Sequence, residues 1–174
     1  LERSGELENT LIVFTSDHGD MLGDHHHWRK TYAYEPSARV PMLVRIPESM
    51  GGGKRGHVSR APVELRDILP TFLETAEVES PIKLDGESMV RVARGEKKDW
   101  RRFIDLEHDR CYSPRNHWNA LTDGLNKYIF HALDGREQLF DLVNDPGEER
   151  DLSGVNALSA IGEMRKWRGL LTEH

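Results

Sequence analysis

The strongest constraint on the fold is a short apolar run that stops abruptly at metal-capable side chains. Thr10-Leu11-Ile12-Val13-Phe14-Thr15 passes directly into Ser16-Asp17-His18-Gly19-Asp20. The continuous, branched apolar stretch from Leu11 to Phe14 predicts a strand covered on both faces. In open α/β sheets, ligands bind beyond the carboxyl ends of such strands. Asp17 offers a hard anionic oxygen and His18 a borderline nitrogen, a pair suited to a divalent cation. Gly19 lets the chain turn sharply without a Cβ penalty. On these residues alone, a turn in which Asp17 caps the next segment fits equally well.

The loop that follows separates the two readings. It carries Leu22-Gly23-Asp24-His25-His26-His27-Trp28-Arg29-Lys30, then Glu35-Pro36-Ser37-Ala38-Arg39-Val40-Pro41 before a second apolar run that ends at Pro47. Together these stretches resemble the sulfatase family of the alkaline-phosphatase superfamily. Its members have a strand ending in S-D-H-G or S-D-N-G, a loop of L-G-x-H-x-x-W-x-K type and an E-x-x-x-R-V-P segment. Further stretches of likeness lie at Val63 to Leu73, Leu121 to Gly124, Lys127 to Ile129 and Gln138 to Glu148. The resemblance implies an α/β fold class. Specifically, it implies the C-terminal portion of an alkaline-phosphatase-like α/β/α sandwich, followed by a small antiparallel sheet with a C-terminal helix.

The family's C-x-P-S-R or S-x-P-S-R element, whose Cys or Ser becomes the formylglycine nucleophile, has no match here. The single cysteine, Cys111, lies in Asp109-Arg110-Cys111-Tyr112-Ser113-Pro114-Arg115, with the wrong order and spacing. It reads as an incidental thiol. The resemblance therefore implies the C-terminal part of a sulfatase, beginning inside the catalytic domain. Formylglycine and a pair of Asp ligands are expected in the N-terminal part of the same protein.

The resemblance makes Asp17 and His18 metal ligands, for Ca²⁺ in the first place and Mn²⁺ in the second. It makes Lys30 the catalytic lysine that contacts the sulfate group, and His25 the loop histidine of the substrate pocket. His117, in a region that in sulfatases leans over the pocket mouth, is a further substrate-binding candidate. His26 and His27 have no counterpart. Glu35 and Arg39, four apart, are expected to form an ion pair that supports the loop. The implied activity is arylsulfatase-like hydrolysis of a sulfate ester, with this stretch inactive alone. A phosphonate monoester or phosphodiester hydrolase of the same superfamily is the alternative, and a non-catalytic glycan-binding fragment is another.

Composition excludes other classes. The 24 basic and 30 acidic residues give a net charge of −6, against the basic face that nucleic acid requires. No apolar run approaches the roughly 20 residues of a membrane span. The compartment stays open.

The expected organisation is residues 1–96 as the C-terminal part of the catalytic α/β domain and 97–174 as a C-terminal subdomain. Leu1 to Glu8 reads as a helix tail, residues 20–39 as a long functional loop, and Val40 to Ile46 as a second strand. Apolar spacing predicts a helix over Val63 to Ala76, starting late or kinked because of Pro70. Four short strands follow, at Arg102 to Leu106, His117 to Thr122, Lys127 to Ala132 and Gln138 to Leu142. Asp123-Gly124 and Asp134-Gly135 mark hairpin turns between them. A closing amphipathic helix spans Asn156 to Leu171, its core side formed by Leu158, Ile161, Met164, Trp167, Leu170 and Leu171.

Overall fold

The computed structural model describes residues 1–96, 99–155 and 158–173. These fall into two compact units, one of Leu1–Asp17 with Pro41–Arg101, the other of His18–Val40 with the chain from Arg102 onward.

In the first unit, β1 (Ile12–Thr15) pairs with β2 (Met42–Arg45) in antiparallel register, Phe14 opposite Leu43. The apolar run does form a strand, but it is not covered on both faces here. Phe14 is 63% and Leu43 58% exposed, so this cross-strand pair opens one face of the ribbon. Leu1 to Glu8 is not a helix tail. It folds into turns and a 3₁₀ turn at Leu7–Asn9, whose carbonyl at Leu7 accepts from Arg45. Gly5, at φ +76°, breaks any helix there.

The expected helix starts late: α2 covers Ile68–Thr75, after a 3₁₀ turn at Leu65–Asp67 with a reciprocal Glu64–Asp67 capping box. Pro70 sits in the first turn, where its missing N–H breaks no helical bond. Asp67 is fully buried and satisfied many times over. It accepts from the backbone N–H groups of Glu64 and Glu87 and from the Arg101 guanidinium, at 2.5–2.9 Å. Thr71, also buried, accepts from the Met89 N–H and so fastens α3 (Val90–Ala93) to α2. Leu65, Leu69 and Phe72 nevertheless remain exposed, so α2 keeps an apolar face uncovered within these residues.

The second unit has a sheet at its centre. Strands β3 (Ile104–His108), β4 (Trp118–Thr122), β5 (Asn126–His131) and β6 (Glu137–Asp141) form an antiparallel meander in the order β3-β4-β5-β6. The Asp-Gly signals are hairpin turns, with Gly124 and Gly135 at positive φ and the Asp123 carboxylate accepting from the N–H groups of Leu125 and Asn126. Both faces are covered. Alternation sends Trp118, Ala120, Ile129 and Phe140 to one face, where Ala33 and Tyr34 from the 18–40 loop pack on them. Leu121, Tyr128 and Leu139 go to the other, against Met164 and Trp167 of α4 (Leu158–Glu173).

Helix α4 carries the expected core side at Met164, Trp167, Leu170 and Leu171, but Ile161 is half exposed and does not belong to it. The start predicted at Asn156 and the Leu158 side chain lie outside the described residues. Arg168 donates twice to Glu137, at 2.6 and 2.7 Å, and this bonding holds the Glu137 carboxyl below its usual range. Among the described residues no helix is long and apolar enough to cross a membrane.

Candidate functional site

Asp17 follows β1 and is exposed, and Ser16 Oγ donates to its Oδ1 at 3.5 Å. His18, in the second unit, is half-buried with Nδ1 2.6 Å from the Gly19 carbonyl. An N–H on Nδ1 donates to that carbonyl and leaves the lone pair on Nε2. Orientation through the other ring nitrogen is the usual arrangement of a metal-bound histidine. A carboxylate such as Asp17 and an imidazole such as His18 are each, taken singly, donor types that a divalent cation accepts. Among the described residues no group of three or more His, Cys, Asp or Glu side chains gathers as a metal centre.

Gly19 is required for closeness rather than for a special φ. A Cβ there would collide with the Pro36 carbonyl oxygen, and its N–H donates to the Ser37 carbonyl at 2.9 Å. The turn after His18 is therefore backed directly onto α1 (Glu35–Ala38), a short helix inside what reads from sequence as plain loop. Pro36 stands at its first positions, where proline is accepted.

Lys30 lies exposed on a contorted stretch. Arg29 and Thr31 on either side adopt φ of +69° and +94°, and Leu22, His25 and His26 are also left-handed. For a β-branched residue such as Thr31 this is a genuine outlier, and such strain gathers at functional sites. Surrounding bonds hold Thr31 there. Trp118 Nε1 donates to its carbonyl at 2.9 Å and Asn116 Nδ2 to its hydroxyl at 3.1 Å, with His108 Nδ1 bonded to the Asn116 carbonyl.

The histidines of the loop divide. His25 stacks on Tyr34 with ring centroids 4.1 Å apart, and its Nε2 lies 2.9 Å from the Gly147 carbonyl. His27 stacks on Tyr32, and burial together with the neighbouring His25 and His26 lowers its pKa. His117 is half-buried just before β4, at the end of the Pro114–Asn116 turn. Cys111 is an exposed free thiol.

One cluster was not foreseen from sequence. Lys127 of β5, 1% exposed, places Nζ 2.7 Å from Glu35 Oε1 and 2.9 Å from Glu148 Oε1. Glu148 is also buried, and its other oxygen accepts from the Glu35 backbone N–H at 2.6 Å. Burial pushes the Glu148 carboxyl up, and the Lys127 ammonium opposes that shift. The anticipated Glu35–Arg39 pair exists at 3.4 Å but is the lesser contact, since Arg39 is exposed. The only sequence signal was a lysine opening the apolar run Lys127-Tyr128-Ile129-Phe130.

The family model described as N-sulphoglucosamine sulphohydrolase, C-terminal, matches residues 23–168. The chain belongs to the sulfatase family. An arylsulfatase of Clostridium perfringens is 39% identical over 87% of the chain and 31% of its own length. A solved protein in complex with its substrate D-glucosamine-2-N,6-O-disulfate superposes with a TM-score of 0.80 at 29% identity, over 99% of this chain and 35% of that one. A phosphonate monoester hydrolase from Silicibacter pomeroyi also reaches 0.80, at 31% identity, over 99% of this chain and 36% of its own. This sulfatase chain thus spans about a third of the length of the relatives it matches.

Proposed function

We propose that this chain is part of a sulfatase that hydrolyses sulfate esters, R–O–SO₃⁻ plus water giving R–OH and sulfate. The observation that carries the reading is the match of the family model over residues 23–168, with the strand end at Asp17 and His18 just before it. Asp17 and His18 Nε2 would hold a divalent cation, Ca²⁺ in the first place and Mn²⁺ in the second. Such an ion neutralises charge on the sulfate oxygens. The formylglycine nucleophile would come from the remainder of the protein, since no Cys or Ser here stands in a C-x-P-S-R or S-x-P-S-R motif. Lys30 directs its ammonium at the sulfate group and offsets the charge that grows on the leaving oxygen. His25 and His117 belong to the rim that receives the alcohol part. Hydrolysis of phosphonate monoesters or phosphodiesters is the second reading, favoured by the likeness to the phosphonate monoester hydrolase.

The deciding experiment compares kcat/KM of the intact protein on nitrophenyl sulfate, nitrophenyl phenylphosphonate and bis-nitrophenyl phosphate. The sulfate ester is expected to be the best substrate, and residues 1–174 alone are expected to turn over none. A higher value on either phosphorus ester transfers the protein to the second reading.

Lys30→Ala in the intact protein is expected to lower kcat by about 10²–10³, the scale for losing one preorganised charge-stabilising group. The deficit should shrink with good leaving groups, which need less help from a cation. Lys30→Arg should restore activity only partly, because a planar fork replaces a point charge. Steady-state kinetics on a poor leaving group decides: wild-type kcat in Lys30→Ala leaves Lys30 an ordinary surface lysine.

A further inference from the structure

Lys127 and Glu148 are buried, and half-buried Glu35 joins them, so three charged groups meet beside the apolar core. Exchanging such charges for apolar residues of similar volume is often neutral or stabilising, so their best-attested use is to fix one arrangement. The arrangement fixed here is that of the site loop. Lys127 is on the sheet face that also carries Ile129, against which Ala33 and Tyr34 lie. Glu148 bridges the Lys127 ammonium to the Glu35 N–H, at the start of α1. From α1, the Ser37 carbonyl accepts from Gly19, beside His18, and Ser37 Oγ accepts from the Tyr32 N–H at 3.3 Å, two residues past Lys30. A single buried ammonium is therefore connected through one short helix to both ends of the loop that holds His18 and Lys30.

We propose that Lys127, with Glu148, is a positioning residue for catalysis, setting α1 and through it His18 and Lys30. The inference rests on the reading of those two as site residues. Lys127 touches no substrate. Its effect is on how often the loop is in the reactive geometry, which moves kcat more than substrate affinity. Positional errors of this kind are costly because reacting groups must be held within a fraction of an ångström.

The test uses the intact protein. Lys127→Met removes the charge at nearly the same side-chain length. On a sulfate ester, kcat should fall about 10–100-fold, the range for losing an outer-shell partner. KM should change by less than about threefold, since ground-state contacts remain. Hydrogen exchange should quicken at the amides of residues 31–39 while β4 and β6 stay protected. Lys127→Arg, which keeps the charge, should recover part of both. If Lys127→Met does not fold, Glu148→Gln decides, with a smaller loss of kcat and faster exchange over the same amides. Wild-type kcat together with wild-type exchange over 31–39, in either folded variant, overturns the proposal. Failure of the sulfate-ester reading would look different. The wild type would then show its higher kcat/KM on a phosphorus ester, and kcat of the variants would be read on that ester.

Discussion

Asp17→Ala in the intact protein is expected to lower activity by about 10³-fold or more and to strip most of the bound metal. The scale follows from chemistry: losing an outer-shell partner already costs about 10–100-fold, and an anionic ligand contributes more than its supports. His18→Ala should lose less, because a neutral imidazole brings no charge to offset that of the cation. Asp17→Asn separates the two contributions of the carboxylate. It keeps an oxygen donor of the same size but removes the charge, so it should fall between wild type and Asp17→Ala. Metal content by mass spectrometry, beside kcat on nitrophenyl sulfate, reads all three variants. Unchanged metal and unchanged kcat in both alanine variants would leave Asp17 as a turn residue, the reading that the strand end alone allows.

Those results bear on a site whose parts differ in how far the sequence discloses them. The strand end is a local signal, because an apolar run and an Asp-His-Gly stop are adjacent in the chain. The C-terminal hairpins are equally local, since Asp123-Gly124 and Asp134-Gly135 carry their turn geometry in two residues each. Strand edges there differ from expectation by one or two residues, as at β3, which runs Ile104–His108 rather than Arg102 to Leu106. Direction is not local: the Leu11 to Phe14 run says nothing about β1 pairing antiparallel with β2. Nor does apolar spacing in α2 reveal which neighbour, if any, lies over Leu69 and Phe72.

The Lys127 cluster marks the limit more sharply. Its carboxylates come from residues 92 positions before and 21 after the lysine. A lone lysine at the start of a strand is ordinarily a solvated edge cation, and no periodicity distinguishes it from a buried one. His25 shows the same effect from the other side. Its place in the loop motif does not disclose that its ring stacks on Tyr34 and reaches the Gly147 carbonyl. Chemistry that depends on partners far apart in the chain is invisible until the fold brings them together.

The second large effect concerns what keeps the sheet in place. Trp167→Ala should destabilise the second unit by about 3–5 kcal/mol, the cost of removing a large aromatic residue from a core. Trp167 is 1% exposed and meets Phe103 edge to face, with ring centroids 5.7 Å apart, while Leu121, Tyr128 and Leu139 close over it. Met164, Leu170 and Leu171 of α4 pack in the same cluster, whereas Ile161 is turned outward. Trp167 also carries a cost of its own, because its buried Nε1 has no hydrogen-bond partner among the described residues. Trp167→Phe removes that unsatisfied donor and keeps most of the ring, so it should cost less than half as much as alanine. Hydrogen exchange is the suitable measure, since it reports opening of one unit inside a larger protein. Protection at the amides of Leu121, Tyr128 and Leu139 should drop about 10²–10³-fold or more in Trp167→Ala, at roughly tenfold per 1.4 kcal/mol. Wild-type protection there would mean that the sheet is held by its other face, through Trp118, Phe140 and the loop that carries Lys30, without help from α4.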